Sequence, residues 1–305
     1  MNKKIKVFEA FAGYGSQSIA LRNLGIAHEV VAISEIDEYA IKAYYALHDR
    51  NIPNLGDIRQ IKVEDIPEHD LFTYSFPCTD ISVAGRMEGI IEGETRSGLL
   101  YECRRIIAHC KPKYLLLENV KNLVGKRFKP QFDEWLSYLE SLGYTSYWKI
   151  LNAKDYGVPQ NRERVFVVSI LGKHKPYEFP SKKELTTNVF NFLEKNIDDK
   201  YYLSDNAIAT IKKHEPKCDV NIMPTLTTEL SHNWGKNATP RICKALGEYR
   251  RLTPREAFRF MGLNDFDIGK IQAAGISNTQ QYKMAGNSIV VNVLEAIFKN
   301  LFMEG

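Results

Sequence analysis

The sequence predicts a doubly wound α/β protein with a second, smaller and irregular lobe. Three observations predict it. Short apolar runs alternate with helical patterns through the first half of the chain, the signature of strand–helix–strand units on a parallel sheet. Several of those runs are continuously apolar, as strands buried on both faces are. The regularity then stops after Leu171 and returns only near the C-terminus.

Element by element, "IKVFEAF" reads as a strand and "SQSIALRNLG" as a helix closed by Gly25. "HEVVAIS" is the next strand. In "EYAIKAYYALH", Ile41, Tyr44, Tyr45 and His48 fall on one helical face. "DLFTYSF" and "KYLLLENV" are continuous apolar strands, with "GLLYECRRIIAHC" as the helix between them. "FDEWLSYLESLGY" places Phe132, Trp135, Leu136, Leu139 and Leu142 on one side, and "RVFVVSIL" is a further strand. The expected organisation is a first domain over 1–172, an irregular lobe over 173–282, and a segment 283–305 returning to the first domain. The stretch 173–249 is polar, with 12 Lys and Arg against 10 Asp and Glu. "SIVVNVLEAIFKNLF" is a strongly amphipathic helix.

Composition narrows the function classes. The 305 residues suffice for one large or two smaller cores. No apolar run is long enough to span a bilayer, and "MNKKIKVFEAFAG" has no apolar signal core, so no membrane association is expected. The five cysteines, at 78, 103, 110, 218 and 243, form no C-x-x-C pair. That argues against a disulfide framework or a metal site and for a cytoplasmic location. A formal charge of +4 permits a nucleic-acid partner without demanding one.

The chemistry-bearing residues cluster at strand ends. "FAGYGS" opens the first strand-to-helix turn, where Gly13 and Gly15 allow close backbone approach to a ligand. A dinucleotide fingerprint would have a third glycine where Ser18 stands, so a nicotinamide reading is weak. Glu35, ending the second strand, can accept the two hydroxyls of a ribose. Asp57 can reach an adenine amino group or cap a turn. Together these suggest an adenosine-bearing ligand without a pyrophosphate, S-adenosylmethionine being the obvious one. In "SFPCTDIS", Pro77 stiffens the approach to Cys78 at the mouth of a strand. "LLLENVKNL" brings Glu118 and Asn119 to the same rim. A cysteine beside a glutamate suggests a nucleophile with a general acid. In "QNRERVF", Arg162 and Arg164 alternate and can share one face of a strand, or form a solvated edge with a neighbouring salt bridge.

In order, the chain reads "FAGYGS", "SEID", "GDIR", "SFPCTDIS", "RSGLLYE", "LLLENVKNL", "QNRERVF", "RRLTPREAFRFMGL" and "AGNSIVVNVL". This set resembles the cytosine-5 DNA methyltransferases over most of the chain except the irregular lobe. The resemblance implies a Rossmann-like, S-adenosylmethionine-dependent methyltransferase sheet with a target-recognition lobe that reads double-stranded DNA. It implies that Cys78, after Pro77, adds to carbon 6 of an extruded cytosine. Glu118, with Asn119 beside it, would act at ring nitrogen 3. Arg164 would hold the cytosine carbonyl, and Arg162 would sit nearer the phosphate backbone. For the cofactor, Phe11, Gly13 and Gly15 match the first motif and Glu35 the ribose acid. Asp57 and Ile58 match the adenine contact, Leu99 falls in "RSGLL", and Asn287 and Ser288 would close the methionine end. S-adenosyl-L-homocysteine is the product. A mobile loop over 79–98 and a Thr225–Leu226 pair in the lobe complete the match, the pair reading equally well as an ordinary short strand.

The chain departs from the family at Thr79 and Ile81, where Gln and Phe are common. The compact lobe suggests a short recognition sequence. A monomer is expected, as the modification enzyme of a restriction-modification system with a separately acting endonuclease as partner, or as a phage or orphan enzyme. An RNA substrate is the alternative within the family, though its Cys-Phe-Thr signature is absent. An inactive scaffold is a further alternative, opposed by the intact Cys78, Glu118 and Arg164.

Overall fold

The computed structural model describes residues 4–82, 89–213, 221–228 and 249–304. The chain forms two compact units. The first comprises residues 1–151, 163–181 and 294–305, the second 152–162 and 182–293. The division therefore falls elsewhere than at 172 and 282. The reason is long-range bonding: residues 152–162 bond to the chain around Leu226 and Gly286.

The first unit is built on one six-stranded sheet. Its strands are β1 (Ile5–Ala10), β2 (His28–Ser34), β3 (Leu71–Tyr74), β4 (Tyr114–Val120), β5 (Tyr144–Asn152) and β7 (Glu163–Leu171). The order across the sheet is β2-β1-β3-β4-β7-β5. The pairs β1–β2, β1–β3 and β3–β4 are parallel. The helices are α1 (Ser16–Asn23), α2 (Glu38–Leu47), α3 (Leu100–Cys110) and α4 (Lys129–Ser141). Apolar runs became the central strands because both faces are covered: all four residues of β3 are buried, and Leu115, Leu116 and Leu117 of β4 are at most 2 % exposed.

Three features differ from expectation. β7 runs antiparallel to β4, pairing Val120 with Arg164 and Tyr114 with Ile170. No crossover helix separates β5 from β7, only a short connection, so the βαβ rule does not apply there. β5 itself alternates buried with half-exposed and exposed residues and has no continuous apolar run. The buried face of α2 is Ala40, Ala43, Tyr44 and Leu47, one position round from the expected face. Tyr45 stays half-buried because its hydroxyl donates to Ile52 O.

The carboxyl ends of β1, β3 and β4 form one rim. The sheet reverses its winding at β1, with β2 on one side and β3 on the other, and ligands of such sheets bind outside the carboxyl ends at that crevice. The last residues of the chain also belong to this unit: Asn23 donates to Glu295, and Phe302 lies edge-on to Tyr114.

The second unit holds a two-stranded parallel pair, β6 (Gln160–Asn161) with β8 (Met223–Pro224). Its helices include α5 (Asp205–Lys213), α6 (Pro254–Arg259), α7 (Asp265–Ala273) and α8 (Asn278–Asn287). α9 (Val291–Phe302) follows, passing into the first unit at Leu294. α6 is closed by a capping box between Thr253 and Glu256. Glu256 also binds the buried Arg250 through both carboxylate oxygens, at 2.8 Å each. Residues 83–88 of the expected mobile loop and 229–248 of the expected DNA-reading lobe lie outside the described residues. Among the described residues, no helix is long and apolar enough to cross a membrane.

Candidate active site

The first turn leaves β1 in a left-handed conformation. Phe11, Gly13 and Gly15 have φ of 54°, 57° and 81°. A Cβ on Gly15 would lie 2.4 Å from His48 Nε2 and 2.7 Å from Tyr44 Cε2, so only glycine fits there. A Cβ on Gly13 would meet nothing within 4 Å, which leaves the turn open on that side. Phe11 is a non-glycine residue at positive φ, and such strain is kept where the surroundings impose it. Here Ser34 O accepts Phe11 N at 2.8 Å from the end of β2.

Glu35 braces the same turn. Its Oε2 accepts Gly13 N at 2.8 Å, and its Oε1 accepts Ile36 N and Asp37 N at 2.8 and 2.9 Å. A carboxylate has about four lone-pair sites, so three N–H donors leave about one for a hydroxyl. Ser18, where a dinucleotide site would carry glycine, has a different task. Its N–H and hydroxyl both donate to Glu9 Oε1, at 3.0 and 2.9 Å, while Tyr44 OH donates to Glu9 Oε2 at 2.7 Å. Glu9 is wholly buried. Burial pushes its carboxyl above the ordinary range, and the Tyr44 and Ser18 bonds pull partly back.

Asp57 is taken by Arg59, whose guanidinium spans both carboxylate oxygens and whose N–H bonds Oδ1 at 3.0 Å. The Arg59 bond holds the Asp57 carboxyl below its usual value. This geometry is the turn cap, the second of the two readings of Asp57. Ile58 is 2 % exposed, and its carbonyl accepts Arg105. Leu99 packs half-buried against the same core.

Cys78 stands half-buried on a turn where the carbonyls of Phe76, Pro77 and Cys78 are all engaged. Phe76 O accepts Asn119 Nδ2 at 3.0 Å, and Pro77 O accepts Ser97 Oγ at 2.8 Å. Cys78 O accepts the N–H groups of Ile81 and Ser82 at 3.1 and 2.8 Å. Ile81 O accepts Asn122 Nδ2 at 2.6 Å, and the Asp80 carboxylate accepts Ser97 N at 2.8 Å. Ile81, a departure from the family pattern, is fully buried here as core, while Thr79 is exposed. Asn119 touches the turn that carries the thiol. Ser97, Asp80 and Asn122 went unnoticed in the sequence because they act on backbone groups. The "RSGLL" run that marked Leu99 contains Ser97 and was the available signal.

Glu118, one residue before Asn119, is 7 % exposed. Arg164 Nε lies 3.3 Å from Glu118 Oε1 across the β4–β7 ladder, and Arg164 Nη1 donates to Glu163 O at 2.8 Å. A carboxylate so nearly buried requires a partner. The first unit thus brings Cys78, Glu118 and Arg164 to the ends of neighbouring strands.

In the second unit the expectation for Arg162 is corrected. It is 3 % exposed, not on a solvated strand face, and its guanidinium donates to three carbonyls: Leu226 O at 2.8 Å, Gly286 O at 2.9 Å and Ser288 O at 2.8 Å. A guanidinium committed to buried carbonyls is structural, and the phosphate role falls away. Gln160 works beside it, accepting Leu226 N and donating to Phe260 O. Leu226 is 1 % exposed, and Thr225 Oγ1 donates to Asn161 O at 2.7 Å. A Cβ on Gly286 would sit 2.5 Å from the Thr227 backbone, so this crossing admits only glycine. Asn287 is exposed, and Ser288 Oγ donates to Ala285 O. Among the described residues, no three acidic, histidine or cysteine side chains gather as a metal site.

Sheet order and rim chemistry define a class: a doubly wound α/β enzyme with a thiol, a carboxylate and a guanidinium at the carboxyl edge of one sheet. The chain belongs to the C-5 cytosine-specific DNA methylase family, whose sequence profile matches residues 5–303. It is therefore a DNA cytosine-5 methyltransferase. It is 42 % identical to the type II methyltransferase M2.ScrFI of Lactococcus lactis subsp. cremoris, over 98 % of this chain and 99 % of that protein. It is 34 % identical to the type II methyltransferase M.Bsp6I of Bacillus sp. (strain RFL6), over 98 % of each. The fold matches the Entamoeba histolytica methyltransferase EhMeth with a TM-score of 0.83 at 20 % identity, covering 99 % of both chains.

Proposed function

We propose that this enzyme methylates carbon 5 of a cytosine extruded from duplex DNA at one short sequence, with Cys78 as covalent nucleophile. The observation that carries this reading is the pinned Phe76–Pro77–Cys78 turn beside the Glu118–Arg164 pair. Cytosine carbon 5 is a poor nucleophile. Addition of the Cys78 thiolate to carbon 6 forms an Sγ–C6 bond and shifts the ring's C5=C6 electron pair onto carbon 5. Glu118, hydrogen-bonded to or protonating ring nitrogen 3, draws charge from carbon 6, and Arg164 holds the carbonyl oxygen. Carbon 5 then takes the methyl group. Loss of the carbon 5 proton to a base re-forms the C5=C6 bond as the Sγ–C6 pair leaves on sulfur, which restores the aromatic ring and the Cys78 thiolate. Holding Cys78 in place raises the productive fraction of encounters. Extrusion of the base costs a few kcal/mol.

S-adenosylmethionine supplies the electrophilic methyl group. The residues of the first unit fit it: the turn is open at Gly13, and Glu35 retains about one acceptor site for a ribose hydroxyl. Phe11, Gly13, Gly15 and Glu35 would hold its nucleoside, with Ile58 and Leu99 along the apolar wall. In the second unit, Thr225 and Leu226 would support the DNA-reading lobe.

Relatives named type II methyltransferases favour a modification role paired with a separate endonuclease, in the cytoplasm. Bisulfite sequencing of DNA from cells expressing the chain tests the reading. Protection at one short motif, lost with Cys78→Ala, is expected. Uniform conversion with folded, cofactor-binding protein would contradict it.

A further inference from the structure

One strongly basic stretch of the first unit has no part in the chemistry. Residues 121–131, "KNLVGKRFKPQ", carry Lys121, Lys126, Arg127 and Lys129 and no carboxylate. Two of the four are matched, Lys121 with Glu163 at 2.9 Å and Lys129 with Asp133. Lys126 and Arg127 are exposed, and among the described residues neither forms an ion pair. The chain under them is fixed. Leu123 and Phe128, 1 % and 2 % exposed, anchor it in the core on both sides. Gly125 makes the turn between them, where a Cβ would lie 2.7 Å from Asn122 Oδ1.

This segment is tied to the reacting loop at two points. Asn122 Nδ2 donates to Ile81 O, three residues after Cys78, and Gln131 Nε2 donates to Ile90 O at 3.2 Å. Gly89 N in turn donates to Asp80 O at 2.9 Å, joining the two stems that the amides hold. Two cations without an ion pair among the described residues, Arg127 lying 5.4 Å over the Phe128 ring, thus stand on a turn braced against the loop that carries the thiol.

We propose that Lys126 and Arg127 form a contact surface for the DNA phosphates beside the extruded cytosine. The proposal rests on the DNA reading above and adds to it a place on the catalytic unit that grips the backbone. Duplex DNA carries a negative charge about every 1.7 Å, and a cation that neutralises a phosphate releases a counterion. Arg127 can fork onto phosphate oxygens and Lys126 acts as a point charge. Such contacts fix register and carry no sequence information.

The test is a salt titration of duplex binding by the full chain, between about 50 and 200 mM salt. Each phosphate contact contributes roughly 0.9 to the slope of log affinity against log salt. The double variant Lys126→Gln/Arg127→Gln is expected to lose about 1.8 from that slope, with weaker binding to target and non-target duplexes alike. Lys173→Gln/Lys175→Gln is the control, because these exposed residues follow the opposite end of β7. It should keep the wild-type slope. A steep wild-type slope unchanged in the double variant would overturn the proposal alone. A wild-type chain with no salt-dependent duplex binding would overturn the DNA reading and the proposal together.

Discussion

At the residue scale the cysteine turn is held by side chains that bond backbone groups. Ser97 is the clearest case. Its hydroxyl bonds Pro77 O and its N–H bonds the Asp80 carboxylate, so one residue fastens both sides of the cysteine turn. Ser97→Ala keeps the N–H bond and removes the other, leaving Pro77 O without that donor. The expected cost is about 1 kcal/mol of stability. The thiol would also lose its alignment, with kcat falling about tenfold to a hundredfold while the apparent KM for cofactor stays near wild type. Steady-state methylation of a substrate duplex measures both, and an unchanged kcat would remove Ser97 from the positioning role. Cys78, Glu118 and Arg164 were singled out in the sequence because an ordered set of short motifs marks them. Ser97, Asp80 and Asn122 were not, because bonds to backbone groups leave no spacing in a sequence. Arg162 was misread for a related reason. Alternation with Arg164 suggested a shared strand face, but Arg162 lies between β6 and β7 and its guanidinium is spent on three carbonyls.

At the element scale, Glu9 fastens the carboxyl half of β1 to α1 through Ser18 and to α2 through Tyr44. The join sits directly beneath the Phe11–Gly15 turn. Because burial raises the Glu9 pKa in the folded state, the folded chain binds this proton more tightly than the unfolded chain does. Stability from this group is therefore fully present below the ordinary value of 4.5 and declines as pH rises toward the folded-state pKa. Every tenfold gain in proton affinity on folding corresponds to about 1.4 kcal/mol. Glu9→Gln removes the titration, so its urea midpoint should decline less than that of wild type as pH rises above 4.5. Parallel declines in the two proteins would show that the carboxyl does not titrate there. The strands themselves were unevenly legible. Continuous apolar runs announced β3 and β4, buried on both faces, whereas β5 pairs only with β7 at the sheet edge and alternates like a loop. The antiparallel course of β7 was invisible, since side-chain periodicity carries no strand direction.

At the scale of the whole molecule, the carboxyl rim of one sheet carries both halves of the proposed reaction. The open turn after β1 serves the cofactor, and the braced turn after β3 presents the thiol. The unit boundaries were less legible than the motifs. Residues 152–162 lie between β5 and β7 in the chain, yet they bond with segments more than sixty residues away. Long-range bonds of that kind are set by packing and not by local pattern. The central claim is that Cys78 forms a bond to carbon 6 before the methyl group moves, and that loss of the carbon 5 proton later releases it. A duplex with 5-fluorocytosine at the target position separates these events, because fluorine cannot leave as a proton does. Mass spectrometry of the enzyme incubated with that duplex and S-adenosylmethionine is the direct measurement. A stable adduct of enzyme and methylated DNA at Cys78 is expected, absent in Cys78→Ser. Complete absence of adduct from wild-type enzyme that methylates ordinary cytosine would contradict the covalent route.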